Sequence, residues 1–203
     1  MLSELLFFTA DRINCFFHKL LRKKTALRNF EHNQTAELEK TGALHGKFIA
    51  KQSPLKNVRF GIKNLAYCGC GIIAIHNILA ASGKEKDFCE LIFELESHAL
   101  VSGIFGISPY AICDYLEKSG FKVQKIHGRK NIKKAQIGSE KIICFYFRKN
   151  LSAHFVAGIP TDEANHIFFN SHLGAYTKTK LSDYTKSLFE KEKPIFVCLY
   201  TVK

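Results

Sequence analysis

The sequence predicts an α+β protein in which helices come first and an antiparallel sheet follows. From about Val58 the texture changes: helical patterns lie between 72 and 120, and short strand-like runs follow from 122 onwards. Ser-Gly pairs at 82–83 and 119–120 mark where helices stop. Three helices are expected. One covers 72–81, a second covers 86–100, and a third begins at Ser108-Pro109, an N-cap with proline in the first turn. Five strands are expected, over 122–126, 141–147, 154–159, 166–170 and 195–202.

The first 57 residues read differently. Leu2, Leu5, Leu6, Ile13, Phe16, Phe17, Leu20 and Leu21 fall near one face of a helix, interrupted by Glu4, Asp11, Arg12 and Lys19. Lys19, Arg22, Lys23 and Lys24 crowd its carboxyl end, where cations suit the helix dipole. Such a stripe over 2–24 can lie on an anionic membrane, dock on the rest of the chain, or act as a pro-segment. Residues 25–57 are polar and contain Gly42, Gly46 and Pro54; the reading is a linker with one short helix around 34–40. The expected division is therefore a basic extension over 1–57 and a folded domain over 58–203.

Composition excludes several classes. With 203 residues, 46% apolar and 18 Phe, the chain can bury a sizeable core and is not disordered throughout. No uncharged apolar run approaches the ~20 residues of a membrane-spanning helix. The net charge is +12, and the first 60 residues alone hold 11 Lys and Arg against 5 Asp and Glu. That balance suits acidic partners. No zinc-finger spacing, RNA-recognition signature or phosphate loop accompanies it, so no specific nucleic-acid partner is expected. The seven cysteines are scattered, most of them inside apolar runs such as 143–145 and 197–199, where Cys behaves as a small hydrophobe. The amino terminus lacks a positive region and a long apolar run. A reduced, cytoplasmic chain is the consistent expectation.

Tyr67-Cys68-Gly69-Cys70-Gly71, followed by an apolar helix, is the most informative stretch. A helix starting at Cys70 or Gly71 sets the Cys70 sulfur beside unsatisfied backbone N–H groups, conditions that favour thiolate. The flanking glycines leave room for a substrate backbone. Cys68 is read as a bystander or as a redox partner. No second Cys-x-x-Cys or paired-His spacing completes a zinc site around the two thiols, so neither metal nor cofactor is expected.

A nucleophilic Cys needs a base. Of nine histidines, His154 opens a strand, and the next strand ends at Asn170, with the turn-rich residues 160–165 between them. A hairpin folded about residue 162 places His154 directly across from Asn170, about 5 Å away at Cβ. The Asn170 side-chain oxygen then holds the imidazole in one tautomer.

The order Cys70, His154, Asn170, helix first and sheet second, resembles the papain-like cysteine peptidases. It is similar in particular to the peptidase domains of bacteriocin-exporting ABC transporters, which remove double-glycine leaders, in a stand-alone form. In that family an aliphatic helix follows Cys-Gly and a Gly stands thirteen residues after the Cys; here Cys70-Gly71-Ile72-Ile73 leads to Gly83. Gly106-Ile107-Ser108-Pro109 and Gly120-Phe121 are similar to its next helix start and turn, and Phe155-Val156 to the residues after its His. The family's oxyanion Gln, six residues before the Cys, is Asn64 here, one methylene shorter. Asn170-Ser171 replaces a frequent Asp-Pro, and Phe155 a common Trp.

The resemblance covers roughly residues 58–203 and implies a bacterial thiol protease. Cys70 attacks a peptide carbonyl, His154 carries the proton, Asn170 orients His154, and Asn64 with the Cys70 N–H stabilises the oxyanion. The substrate implied is a leader or other short peptide. A catalytically impaired peptide-binding domain, or an acyltransferase or deamidase using the same triad, is the alternative.

Overall fold

The computed structural model describes residues 23–36, 41–150, 152–162 and 164–203, together with Thr9 and Ile13. The amphipathic stripe expected over 2–24 therefore lies almost wholly outside the described residues. The chain divides after Tyr115 into two compact units.

In the first unit the chain runs through helix α1 (Lys23–Asn33), a small hairpin of β1 (Leu44–His45) and β2 (Phe48–Ile49), and a second hairpin of β3 (Arg59–Phe60) and β4 (Lys63–Asn64). A single turn α2 (Leu65–Cys68) leads into α3 (Cys70–Ala81), and α4 (Phe88–Leu95) follows. Helix α3 is the core element. Gly71, Ile72, Ile73, Ala74, Ile75, Ile78, Leu79 and Ala80 are all buried, the signature of a helix wrapped on every side.

Residues 25–57 are not a linker, since most of α1, the β1–β2 hairpin and a 3₁₀ turn lie within them. The short helix expected around 34–40 falls mostly outside the described residues. Three asparagines explain why so polar a segment folds. Asn33 accepts from the Arg59 N–H at 2.7 Å and donates to its C=O at 2.9 Å. Asn77 of α3 treats Ile49 in the same way, at 2.8 and 3.0 Å. Asn29 donates to Glu96 Oε1 and to the Gly61 oxygen. The carboxamides of Asn33 and Asn77 take the place of a neighbouring strand. Asn29 does so together with Glu96, which accepts from the Gly61 N–H, so these backbone groups stay paired.

Helix α4 is capped by Asp87, whose carboxylate accepts from the Glu90 N–H at 2.9 Å. It stops at Leu95, short of the expected 100. Two 3₁₀ turns, Glu96–His98 and Leu100–Gly103, replace its end, and Val101 and Ser102 stand at φ +47° and +60°. The cause lies in Gly61. The Ile62 N–H donates to the Ser102 oxygen at 2.8 Å, and a Cβ on Gly61 would sit 2.0 Å from that oxygen. The backbone of 100–103 is thus seated on the β3–β4 turn rather than continuing as helix.

Helix α5 (Pro109–Lys118) begins as expected, with Ser108 Oγ accepting from the Ala111 N–H at 3.0 Å.

The second unit is an antiparallel six-stranded sheet in the order β5-β10-β6-β7-β8-β9. Its strands are β5 (Val123–His127), β6 (Lys141–Phe147), β7 (Ala153–Pro160), β8 (Asn165–Ser171), β9 (Gly174–Lys180) and β10 (Phe196–Val202). All five expected strands form. The added β9 is an edge strand, alternately exposed and carrying Lys178 and Lys180. Helices α6 (Arg129–Lys134) and α7 (Leu181–Lys191) cover one face, burying Ile132, Leu181, Tyr184, Leu188 and Phe189 against Ile142, Cys144, Tyr146, Val156, Phe168 and Leu199. Phe168 and Tyr184 stack with centroids 3.8 Å apart.

Candidate active site

Asn64, Cys68 and Cys70 belong to the first unit; His154 and Asn170 belong to the second.

Asn64 is extended at φ −127°, and its Oδ1 accepts from the Tyr67 N–H at 3.2 Å, capping α2. The carboxamide oxygen is thereby committed as an acceptor, and the NH2 end takes no part in that cap. Gly69 joins α2 to α3, so Cys70 is the first residue of a twelve-residue helix with no side-chain cap before it. Cys70 is half-buried there, and the helix starts at one of the two positions that the sequence reading considers.

Cys68 is different. Its thiol is buried and donates to the Asn64 main-chain oxygen at 3.2 Å. Burial, reinforced by neighbouring Cys70 and Glu96, pushes its pKa up to about 12. Cys68 stays a neutral thiol near pH 7.

The glycines around Cys70 do not open a substrate path. A Cβ on Gly69 would meet the Leu65 oxygen at 2.6 Å, and one on Gly71 would meet Ile107 Cγ1 at 2.7 Å. A Cβ on Gly106, at φ +68°, would meet the Cys68 oxygen at 2.7 Å. The expected room is filled by the chain's own atoms, which clamp the turn leading into α3. Among the described residues no group of three His, Cys, Asp or Glu is placed to hold a metal ion.

In the second unit the structure brings His154 and Asn170 together by another route than expected. The β7–β8 ladder pairs Pro160 with His166 and Ala157 with Phe169, a register two residues away from a direct His154–Asn170 pair. The turn is the reason. Asp162 accepts from the Ala164 and Asn165 N–H groups at 3.0 and 2.8 Å, and Thr161 N–H donates to the Asn165 oxygen. The hairpin thus centres one residue later than 162.

Asn170 then leaves the ladder at φ +54°, a conformation Asn tolerates better than most residues. Its main-chain oxygen, rather than its side-chain oxygen, lies 2.7 Å from His154 Nε2. A carbonyl only accepts, so Nε2 carries the proton and Nδ1 keeps the lone pair of a base. Burial lowers the His154 pKa below its ordinary value, opposed by the Asn170 bond; Arg148 lowers it further and Glu192 raises it. The ring is neutral near pH 7.

Four groups around His154 are absent from the sequence reading. Tyr146, its cross-strand partner, meets the ring edge-on at 5.6 Å. Arg148 donates to the Tyr146 hydroxyl at 3.2 Å, to Ser152 Oγ at 3.1 Å, and pairs through Nε with Glu192. His172 bonds Ser187 Oγ at 3.2 Å, and burial lowers its pKa as well. Only Tyr146 had a signal, since matching β6 to β7 selects it; Glu192 comes from the far end of α7.

No family model matches the chain, and no curated protein matches it. Among solved structures it is similar to the peptidase domain of Streptococcus ComA, a bi-functional ABC transporter involved in a quorum-sensing pathway. That match has 13% identity and a TM-score of 0.43, covering 65% of this chain and 89% of that one. It is also similar to the Pseudomonas avirulence protein AvrPphB, with 11% identity, a TM-score of 0.39, and 66% and 90% covered.

Proposed function

We propose that this chain is a cysteine peptidase that cleaves peptides by thiol acyl transfer. In this reading Cys70 is the nucleophile and His154 Nδ1 takes the thiol proton and returns it to the leaving amine. Asn170 holds the imidazole, and the Asn64 NH2 with the Cys70 N–H receives the developing oxyanion. Water then releases the acyl group from Cys70, with His154 as base.

The observation that carries the reading is the 2.7 Å bond from His154 Nε2 to the Asn170 carbonyl. It prepares a neutral imidazole whose basic nitrogen is Nδ1, as a general base requires. His32, His76 and His166 also bond main-chain oxygens through Nε2; what sets His154 apart is the Arg148–Glu192 pair that biases its charge. Cys70 at the head of α3 supplies the matching thiol in this reading, and the burial and high pKa of Cys68 argue against Cys68 in that role.

The test is alkylation by iodoacetamide at pH 7 with the adducts mapped by mass spectrometry, alongside cleavage of a peptide library. Cys70 is expected to label first, and His154→Ala to slow both labelling and cleavage, the latter by roughly 10²–10⁴. Labelling spread over several cysteines and indifferent to His154 would overturn the assignment.

A further inference from the structure

The charge of this chain is unevenly placed. Residues 61–115 hold 3 Lys and Arg against 6 Asp and Glu, whereas residues 116–203 hold 16 against 7. Half of those sixteen stand on or beside α6 and α7. Helix α6 carries Arg129, Lys130, Lys133 and Lys134, all exposed, and buries only Ile132. Helix α7 carries Lys186 and Lys191, with Lys180 just before it and Lys193 just after, likewise exposed.

The two helices present these cations together. The Arg129 guanidinium lies 4.7 Å from the Phe189 ring centroid, near the end of α7, and Lys133 shares a hollow with Lys180 and Lys186 at its start. The helices therefore run antiparallel over one sheet face. Among the described residues none of the eight cations forms an ion pair. Asp183 and Glu190 are the exposed carboxylates of α7 that stand among them; Glu192 is taken by Arg148.

A second feature adjoins the cations. A hollow of about 470 Å³ lies between the amino end of α6 and the strand entry after α7, lined by Arg129, Phe189, Lys193, Pro194, Ile195 and Phe196. Ile195 is 57% exposed on its lip. A nucleic acid would use the lysines but leave an exposed aliphatic side chain against water. An anionic bilayer uses both, phosphates for the cations and the headgroup boundary for the isoleucine.

We propose that the α6–α7 face docks on an anionic phospholipid surface, with Ile195 at the headgroup boundary and the lysines on lipid phosphates. This surface is distinct from the stripe over 2–24 and does not depend on the peptidase reading.

The experiment is vesicle sedimentation of the full chain with phosphatidylcholine alone and with one quarter phosphatidylglycerol, at about 0.1 M and about 0.5 M salt. Binding is expected only to the anionic vesicles and is weakened by the higher salt. Each cation near such a surface contributes about fivefold, so Lys130→Gln/Lys133→Gln/Lys134→Gln/Lys186→Gln weakens binding roughly a hundredfold or more. The same four changed to Arg retain it. Ile195→Ser weakens it about tenfold. Lys51→Gln/Lys56→Gln/Lys63→Gln/Lys84→Gln removes equal charge from the first unit and leaves most of the binding. All eight lysines are exposed, so circular dichroism reports an unchanged fold. The proposal is overturned if anionic vesicles are not bound, if both quadruple variants lose binding alike, or if neither does, as docking through 2–24 requires. Duplex RNA at matched phosphate that binds as tightly, with Ile195→Ser without effect, also overturns it and points to nucleic acid.

Discussion

His154 Nε2 and the Asn170 main-chain oxygen lie 2.7 Å apart on neighbouring strands whose ladder, continued, would set His154 opposite His172. Asn170 reaches the imidazole because its φ of +54° turns its peptide out of the ladder. The contact belongs to the backbone, and that has a consequence for mutagenesis.

Asn170→Gly is expected to preserve the His154 tautomer, since glycine adopts positive φ freely and keeps the carbonyl. Asn170→Val, β-branched in a left-handed conformation, should cost about 1–2 kcal/mol and release the ring. Nitrogen chemical shifts of His154 distinguish the tautomers. A Gly variant that loses the Nε2-protonated form while folded would show that the carboxamide does the holding.

The Arg148–Glu192 pair biases His154 from both sides. Glu192→Gln removes a charge that raises its pKa, and the titration midpoint should fall; Arg148→Gln should move it upward. Either change strands a partner that is mostly buried and should cost about 1–3 kcal/mol in urea unfolding. Proton NMR titration reads the midpoint, and shifts of the same sign in both variants would contradict the placement.

His76, His154 and His172 all have folded pKa values lowered by burial. In the unfolded chain they take protons near pH 6.5, while the folded chain resists until lower pH. Between those points the unfolded state binds more protons, so stability rises with pH and levels above about 6.5. Melting temperature should therefore climb from pH 5 to 7. His76→Asn should flatten part of that slope. A flat profile in the parent protein would count against buried neutral histidines.

Gly61→Ala and Gly42→Ala separate strain from collision. Both positions have positive φ, but a Cβ at 42 meets open space while one at 61 falls 2.0 Å from the Ser102 oxygen. Gly42→Ala should cost about 1 kcal/mol, the backbone penalty alone. Gly61→Ala should cost at least about 3 kcal/mol, because a backbone atom must move. Equal losses in chemical denaturation would refute the close approach of the two turns.

Much of the architecture was legible. The runs at 141–147 and 195–202 and the Ser108-Pro109 cap announce themselves by local composition, and the structure agrees with them nearly residue for residue. Leu181, Tyr184, Leu188 and Phe189 carry helical spacing that a closer reading of 181–191 would have found. Residues 25–57 were opaque because their order depends on Asn29, Asn33 and Asn77, polar side chains that look solvated until backbone partners arrive from elsewhere.

By itself the sequence determined which residue types could do chemistry and where helices and strands begin, since capping, periodicity and turn chemistry act over a few residues. Only the tertiary structure decided that His154 is held by a carbonyl instead of a carboxamide. It likewise decided that Cys68 is pinned as a thiol, and that the paired Arg148 and Glu192 bias the charge of the imidazole. A one-residue shift in a turn changes every partner across a hairpin, and burial sets a proton's affinity through groups distant in the chain; neither is written in any local stretch.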